Sequence, residues 1–450
     1  MKVLHVPFTY YPDACGGTEV YVAALCRFLK LAGVDSVVAA PGATNASDEH
    51  EGVCVRRFAT HPALTQDMMY GEGDPVAAAG FAQILEAERP HIVHFHARSP
   101  AVGVLCLREA RKRGIPAVYT YHTPTSSCLR GTLMRWGSTP CDGELRTHRC
   151  AACFLNAHGM PRLLAGAAVL ASRVTEPLAC LPKLPNAARA VLRSAALMSG
   201  FHDTTREWWA GMQRIIALCS WTRDLLLLNG VPEQRLSLVR HGLASLPESQ
   251  ATAIPAALPL KLAFLGRLDA TKGIDLILKA LQLLPDLPVR LDLYAITSGS
   301  DDAAARLLSL QVQSDPRITL LPPVPSSQVV GVLRNYHALL VPSRWLETGP
   351  LVVLEAFAAG IPVIGSNLGG IAEWVRDGHN GLLVPAPAPE AWRDVLRRLV
   401  DEPGLLGRLR DGVEPPRSMA DVAADMSVIY RRELAVMGHA KLTKNRSSWS

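Results

Sequence analysis

Short runs of Val, Ile and Leu alternate with stretches of helical periodicity along almost the whole chain, and no other feature constrains the fold as strongly. In the first half, the apolar runs lie at residues 2–6, 36–40, 92–96, 117–121 and 215–218. A second series lies at residues 262–265, 290–296, 318–320, 338–341 and 362–364. Strands that alternate with helices form parallel sheets covered by helices. The sequence therefore predicts an α/β protein with two Rossmann-like, doubly wound parallel sheets.

The two series indicate two domains joined by a linker. Residues 241–260 are rich in Ala, Pro, Ser and Gln and show little periodicity, which is typical of a connecting segment. We therefore expect an N-terminal domain at residues 1–240 and a C-terminal domain at residues 261–415. Residues 416–440 carry apolar positions at helical spacing, and we expect this last helix to cross back onto the first domain.

Composition excludes several classes of protein. Hydrophobic residues make up 49% of the chain and charged residues 19%, so most of it can build a packed core and is not disordered. No apolar run approaches the roughly 20 residues of a membrane-spanning helix. The short apolar run before Pro7 is too brief for a secretory signal. We expect a cytoplasmic protein whose ten cysteines are thiols or metal ligands rather than disulfides.

The positive charge is concentrated in the middle of the chain. Residues 89–240 hold 20 Lys and Arg against 8 Asp and Glu, whereas the whole chain carries a net charge of +6. Within this region lie Arg130, Arg135, Arg146 and Arg149. Such a surplus suits an anionic or lipid-linked acceptor and peripheral association with the inner face of a membrane. Solvated surface arginines are an equally good explanation. We expect no nucleic-acid partner.

Residues 342–364 contain the strongest local pattern. They follow an apolar strand, turn at Thr-Gly-Pro, and open a helix that ends near Gly360. Glu347 falls in the turn and Glu355 on the helix, while the first helical amides, those of Leu351 and Val352, can receive a phosphate. Ligands bind at this edge of open α/β sheets. The alternative is that Glu347 only caps the helix and Glu355 is a surface acid.

A second loop contributes two cations. Arg267 follows the first strand of the second series, and Lys272 lies five residues later, just before a helix. A guanidinium fork and an ammonium point charge together suit a diphosphate. The loop matches neither a Walker A motif nor a dinucleotide-binding glycine pattern. On its own, such a loop is more often a solvated surface.

The N-terminal half offers weaker signals. Gly16 and Gly17 follow the first strand and precede a helical pattern, so a ligand can approach the backbone there, although two glycines can equally form only a tight turn. His94 and His96 alternate along a strand end, and we interpret them as hydrogen-bonded polar residues rather than a metal pair. His122, at the end of the next strand, is the better candidate for a cleft.

At these combined motifs the chain resembles the retaining glycosyltransferases of the large GT-B family 4, the glycosyl transferases group 1. These enzymes move a sugar from a nucleotide sugar to an acceptor. The resemblance rests on the acidic pair Glu347 and Glu355, followed by Gly-Ile-Pro-Val at 360–363, Gly-Gly-Ile-Ala-Glu at 369–373 and Gly-His-Asn-Gly at 378–381. It spans nearly the full length and implies a GT-B fold with the reaction in an interdomain cleft.

The resemblance also implies roles for individual residues. Catalysis is expected to involve Glu347, which contacts the donor sugar, and His122, which lies beside the reacting sugar. The donor-binding residues implied by the family are Glu355 for the ribose hydroxyls, Arg267 and Lys272 for the diphosphate, and Gly16 and Gly17 for the closing loop. Together with the helical amides of Leu351 and Val352, they make up the predicted donor site. The donor is UDP- or GDP-linked, the acceptor is a glycan, a lipid-linked sugar or another hydroxyl compound, as in polysaccharide biosynthesis, and catalysis requires no cofactor.

Other functions fit the same motifs. A nucleotide-sugar epimerase or a phosphorylase of the same fold would use the same diphosphate-binding residues without an external sugar acceptor. A non-catalytic sugar-binding or scaffold subunit would keep the fold alone. Such a subunit has no need for Glu347, Glu355, Arg267 and Lys272 together, which favours the transferase.

The region near residues 124–160 reads as an insertion that contains four cysteines, Cys128, Cys141, Cys150 and Cys153. The two-residue gap between the last two lets one turn present two thiolates to one metal, so we predict a structural zinc ion. His148 or His158 can replace one cysteine as a ligand. The alternative is four reduced, unliganded thiols.

Overall fold

The computed structural model describes residues 1–13, 16–175, 185–247, 258–296, 312, 314–385 and 388–447. The chain forms two compact units, one of Met1–Arg240 with Met419–Ser450 and the other of His241–Ser418. Of the predicted linker at 241–260, residues 248–257 lie outside the described residues, and the rest belongs to the second unit.

The first unit is built on a large, mostly parallel sheet. Its strands are β1 (Lys2–Val6), β2 (Asp35–Gly42), β3 (Ala46–His50), β4 (Val53–Ala59), β5 (Ile92–Phe95), β6 (Ala117–Tyr121), β7 (Met134–Arg135), β8 (Thr139–Pro140), β9 (Arg214–Ala217) and β10 (Leu236–Leu238). The sheet order is β10-β9-β6-β5-β1-β2-β4-β3, and only the edge strand β3 runs antiparallel to its neighbour. Strands β7 and β8 form a separate antiparallel pair.

Helices connect these strands. They are α1 (Gly17–Leu31), α2 (Gln66–Tyr70), α3 (Pro75–Glu88), α4 (Val104–Lys112), α5 (Thr147–Ala157), α6 (Arg162–Thr175), α7 (Asn186–Leu192), α8 (Ser194–Ala210) and α9 (Ser220–Leu228). Their starts follow ordinary capping chemistry: Asp74 accepts a hydrogen bond from the Val76 amide, and Pro75 occupies the first turn of α3.

The second unit contains a six-stranded, fully parallel sheet in the order β13-β12-β11-β14-β15-β16. Its strands are β11 (Leu260–Arg267), β12 (Val289–Ile296), β13 (Ile318–Leu321), β14 (Ala338–Val341), β15 (Val363–Ser366) and β16 (Gly381–Val384). Its helices are α10 (Ile274–Gln282), α11 (Val329–Leu333), α12 (Leu351–Ala358), α13 (Gly369–Trp374), α14 (Pro389–Asp401) and α15 (Leu405–Asp411).

Both faces of this sheet are buried, which explains why its strands read as continuous apolar runs. Along β11, Leu262 and Phe264 pack into one core cluster with α10 and α14, whereas Ala263 between them packs into the other cluster with α11 and α12. The doubly wound architecture predicted from the sequence is therefore confirmed.

The last helix, α16 (Met419–Ser447), belongs to the first unit. Its apolar face, which includes Val422, Met426 and Tyr430, shares a core cluster with α1. A buried ion pair also holds it, since the Arg214 guanidinium lies 2.7 Å from the Glu433 carboxylate. Within the described residues, no helix is long and apolar enough to cross a membrane.

Candidate active site

In the second unit, three neighbouring strands direct their following loops to one edge of the sheet. Strands β11, β14 and β15 are adjacent and parallel, so the loops after Arg267, Val341 and Ser366 meet at their carboxyl ends. The two strongest sequence motifs, around Lys272 and Glu347, lie in these loops. The candidate site is built here.

Glu347 is the centre of this cluster. One of its carboxylate oxygens, Oε1, accepts from the Lys272 ammonium at 2.6 Å, the Ser343 hydroxyl at 2.8 Å and the Trp345 indole N–H at 2.8 Å. The residue is only 6% exposed. A buried carboxylate needs such compensation, because an unpaired charge in this environment is costly. The structure thus joins an expected sugar contact and an expected phosphate ligand, Glu347 and Lys272, in one ion pair.

Glycines allow the backbone to close tightly around Glu347. The Gly370 amide donates to the Glu347 carbonyl at 2.6 Å. A Cβ atom at Gly370 would lie 2.5 Å from the Gly349 nitrogen, and Gly369 has a φ of +51°. Only glycine tolerates both demands. The Gly-Gly pair of residues 369–370 therefore fixes the turn that carries Glu347.

A similarly close backbone approach fixes the loop that carries Arg267 and Lys272. Gly273 has a φ of +68°, and a Cβ there would lie 2.0 Å from the Pro342 carbonyl oxygen. The Arg344 amide also donates to the Thr271 carbonyl at 2.7 Å. Because the two loops touch through their backbones, Lys272 is held beside Glu347 by more than its own ion pair.

Arg267 lies at the end of β11 with a side chain that is 57% exposed. Its Nε is 3.2 Å from the Asp269 carboxylate. An exposed pair of this kind contributes little to stability, so the guanidinium can exchange this partner for a phosphate at little cost. Asp269 also accepts from the Thr271 amide at 2.9 Å, which shapes the loop between the two cations.

The start of α12 presents unused donors. The Val353 amide donates to the Pro350 carbonyl at 3.1 Å. Among the described residues, no acceptor is recorded for the amides of Leu351 and Val352. These two N–H groups, at the positive end of the helix dipole, form an anion-binding position of the predicted type.

Glu355 lies one turn further along α12, on the same face as Leu351. It is half-buried, and burial raises its pKa to about 7. Within the described parts of the chain, no side chain or amide hydrogen bonds to its carboxylate. A carboxylate held in a low-dielectric position without a partner is a candidate ligand group.

In the first unit, the backbone of the predicted glycine turn already has a hydrogen-bond partner. The Gly16 amide donates to the Glu19 carboxylate at 2.8 Å, and the Thr9 hydroxyl donates to the same carboxylate at 2.9 Å. Glu19 is 5% exposed, so its buried carboxylate caps the start of α1. The turn also lies near His122, because the Tyr21 ring of α1 meets the His122 ring edge-on at 4.8 Å.

His122 ends a chain of buried imidazoles. Its Nε2 is 3.1 Å from Nδ1 of His96, and Nε2 of His96 is 3.0 Å from Nδ1 of His5. Burial lowers the pKa of His5 to about 3 and that of His96 well below its usual value, so both rings are neutral. A neutral ring donates at one nitrogen and accepts at the other. The tautomers of His122 and His5 are therefore coupled through His96.

His94 and His96 are hydrogen-bonded polar residues, as the sequence indicated. His94 contacts the Tyr430 hydroxyl at 2.6 Å and the Thr120 hydroxyl at 2.7 Å. Among the described residues, His5, His94 and His96 form the one group of three with ligand atoms within 4.8 Å of one another. Hydrogen bonds already engage both nitrogens of His94 and of His96.

Several of these partners were not identified from the sequence. Ser343 and Trp345 lie inside the recognised motif, but a hydroxyl and an indole have no fixed role at such positions. Glu19 has a signal in retrospect, because an acid three residues after a helix cap is typical of a capping box. His5 gives no signal, since its contact with His96 depends on strand pairing.

The four cysteines of the insertion lie in different elements. Cys128 follows a short 3-10 turn, Cys141 follows β8, and Cys150 and Cys153 lie on α5. All four line one cavity. No three of their sulfur atoms lie within 4.8 Å of one another. The other two predicted ligands are oriented by α5 itself: Nδ1 of His158 is 2.9 Å from the Phe154 carbonyl, and His148 lies in the first turn.

Comparison with known proteins matches both halves of the chain. Residues 255–413 match the family described as glycosyl transferases group 1, and residues 15–158 match glycosyltransferase family 4. The D-inositol 3-phosphate glycosyltransferase of Arthrobacter sp. (strain FB24) is 27% identical over 411 residues, covering 87% of this chain and 83% of that protein. The enzyme of the same name from Corynebacterium glutamicum (strain R) is 36% identical over 182 residues, which are 38% of this chain and 43% of that protein.

Solved structures support the same fold. The sucrose-phosphate synthase of Thermosynechococcus elongatus matches with a TM-score of 0.63 at 17% identity, covering 97% of this chain and 99% of that one. HepE of Anabaena, in complex with UDP and glucose, matches with a TM-score of 0.62 at 14% identity, covering 96% of this chain and 100% of that one. With both halves matched and the fold shared, the chain belongs to the group 1, family 4 glycosyltransferases and has the GT-B fold.

Proposed function

We propose that this glycosyltransferase transfers a hexose from a UDP-linked sugar, with retention of anomeric configuration, to a hydroxyl of an acceptor that carries a phosphate. The observation that supports the donor half most strongly is the Glu347 cluster, in which a carboxylate, an ammonium, a hydroxyl and an indole N–H converge beside the open end of α12. The fold neighbour HepE has been solved with UDP-glucose, which supports UDP over GDP.

In this proposal the diphosphate is bound by the exposed Arg267 fork, by the Lys272 ammonium and by the amides at the start of α12. These groups neutralise the leaving nucleoside diphosphate, so no metal ion is needed for that step. Glu355 accepts hydrogen bonds from the ribose hydroxyls as a carboxylate. Glu347 contacts the sugar and stabilises positive charge that develops at the anomeric carbon.

Lys272 has two roles here. Its ammonium lies 2.6 Å from Glu347, and it can contact a phosphate oxygen at the same time because it has three donors. The ion pair holds the Glu347 carboxylate in position before the donor arrives. Donor binding then adds an acceptor to Lys272 without requiring the pair to separate.

The acceptor is assigned from charge and from relatives. The matched relatives are named D-inositol 3-phosphate glycosyltransferases, so they act on a phosphorylated alcohol. The surplus of Lys and Arg in residues 89–240 supports an anionic acceptor for this chain. We assign acceptor binding to the first unit, with His122 beside the reacting hydroxyl.

We also propose peripheral association with an anionic membrane surface. The observation that supports it is helix α6 rather than the predicted arginines. Arg146 pairs with Glu144, and Arg149 pairs with Asp142, so these two are already compensated. Helix α6, in contrast, exposes an apolar stripe at spacings of four, three and four residues. Its members are Leu163, Ala167, Leu170 and Val174.

The test uses the full-length protein with a panel of UDP- and GDP-linked hexoses and with phosphorylated and unphosphorylated acceptors. The expected result is acceptor-dependent release of UDP and a product whose anomeric coupling, read by NMR, matches that of the donor. Isomerisation of the donor without an acceptor would support an epimerase instead. An inverted product would contradict retention. Sedimentation with anionic and neutral vesicles tests the membrane part, and equal binding to both would contradict it.

A further inference from the structure

The insertion after β6 brings its four cysteines around one small cavity, which we call the cysteine cavity. It is lined by Cys128, Cys141, Cys150 and Cys153, and by His202 of α8. Its volume is about 40 Å³, enough for an ion and no more than a few water molecules. Four cysteines up to 25 positions apart in sequence therefore share a space of the size that a metal ion needs.

The Cys153 sulfur accepts the backbone N–H of Trp136 at 3.4 Å. The Cys141 and Cys150 thiols donate to neighbouring oxygens, at 3.7 Å to the Asp142 carboxylate and at 3.9 Å to the Glu144 carbonyl. A thiol sulfur is a weak acceptor, whereas a thiolate bound to a metal is a strong one that is commonly stabilised by such outer contacts. The Trp136 amide is thus in place to stabilise a metal-bound thiolate at Cys153.

His202 gives a second, independent indication. It is 1% exposed, and among the described residues neither ring nitrogen has a hydrogen-bond partner. A buried polar ring without a partner is unfavourable. A thiolate in the same cavity would give one of its nitrogens an acceptor.

The lining of the cysteine cavity also carries positive charge. One Zn²⁺ bound by four thiolates has a net charge of −2. Arg130, Arg135 and Arg149 line the same cavity, and the Arg130 guanidinium lies 3.9 Å from the Cys153 sulfur. Arg149 already pairs with Asp142, and Glu144 also lines the cavity. Arg130 is therefore the cation placed to offset part of the negative charge of a four-thiolate centre.

We infer that Cys128, Cys141, Cys150 and Cys153 bind one structural zinc ion, with His202 donating an N–H to one of the bound sulfurs. On binding, the four thiol protons are released to solvent. Sulfur atoms at about 2.3 Å from zinc lie about 3.8 Å from one another, so they move inward from their positions in the structure.

The ion would order a segment that has little other structure. Helix α5 is already packed, since Phe154 and Leu155 share a core cluster with α8. Residues 128–145 contain only the two-residue strands β7 and β8. A metal that joins Cys128 and Cys141 to α5 anchors this segment, and it also anchors the loop that begins only six residues earlier, at His122.

The test begins with metal analysis of the full-length protein purified without chelator. About one zinc per chain is expected, and replacement by Co²⁺ should give the intense sulfur-to-cobalt charge-transfer absorption of tetrahedral thiolate coordination. The Cys150→Ser/Cys153→Ser variant should lose the metal, whereas Cys54→Ser, a control thiol on β4, should keep it. Wild-type protein without bound metal after growth in zinc-containing medium would overturn the inference, as would iron with acid-labile sulfide.

A second measurement keeps the inference testable if the double variant does not fold. Trypsin should cut wild-type protein after Arg130 or Arg135 at least ten times faster once a chelator has removed the metal, because the segment loses its anchor. Equal cleavage rates with and without chelator would contradict a structural role. Loss of zinc in His202→Ala, together with its retention in Cys153→Ser, would overturn the four-cysteine ligand set.

Discussion

Replacing Glu355 by glutamine should stabilise the free protein and weaken donor binding at the same time. Burial raises the pKa of this carboxyl from 4.5 to about 7. A shift of roughly 2.5 units corresponds to about 3 kcal/mol, since each unit is about 1.4 kcal/mol. Ionised Glu355 therefore costs the folded state up to about 3 kcal/mol, and a neutral amide of the same shape removes that cost.

The sign of the pH dependence follows from proton linkage. Between pH 4.5 and 7 the folded state holds a proton that the unfolded state has lost, so the contribution of Glu355 to stability falls as pH rises through this window. Above pH 7 the full cost is present. The Glu355→Gln variant should match the wild type near pH 4.5 and exceed its stability most at pH 8.

Thermal unfolding of both proteins at pH 5 and pH 8 measures this difference, and calorimetric titration with UDP at pH 8 measures binding. An amide accepts ribose hydrogen bonds less strongly than a carboxylate, so the affinity should fall at least tenfold. Glu49→Gln changes an exposed acid of the edge strand β3 and should alter neither quantity. Equal stability gains at both pH values would contradict the raised pKa of Glu355, and unchanged UDP affinity would contradict its role in donor binding.

Three further substitutions test other parts of the account. Glu347→Gln should reduce turnover at saturating substrates more than it reduces donor affinity, and steady-state kinetics showing equal turnover would contradict its role. Gly370→Ala should lower both the thermal midpoint and UDP affinity, because its Cβ would lie 2.5 Å from the amide nitrogen two residues after Glu347; Gly407→Ala, with open space around it, is the control. Tyr430→Phe should cost about 1–3 kcal/mol of stability, since buried His94 loses a hydrogen-bond partner; an unchanged unfolding midpoint would contradict this.

The sequence predicts the sheet centres better than the edges. The strands buried on both faces can be identified from the sequence as apolar runs. One example is β14 (Ala338–Val341). The edge strand β3 carries the polar sequence Ala-Ser-Asp-Glu-His and is mostly exposed, so neither hydrophobicity nor alternation indicates it. Its partner β4 was missed as well, although four of its seven residues are buried.

The residue types of the candidate site could be predicted from the sequence, but the contacts between those residues could not. Lys272 and Glu347 were both candidates from local motifs, yet they are 75 positions apart, and their ion pair depends on β11 lying beside β14. The same limit applies to His5 and His96, which meet because β1 pairs with β5. Local periodicity specifies strands, whereas the order of strands in a sheet is set by the packing of the whole unit.

The proposed function requires the second unit to bind a nucleoside diphosphate through the cluster around Lys272 and Glu347. Calorimetric titration of UDP into wild type, Lys272→Ala and Lys279→Ala tests it most directly, because Lys279 is a lysine of the adjacent helix α10 that lies outside the cluster. We expect at least tenfold weaker binding in Lys272→Ala and wild-type affinity in Lys279→Ala. Equal affinity in all three proteins would contradict it.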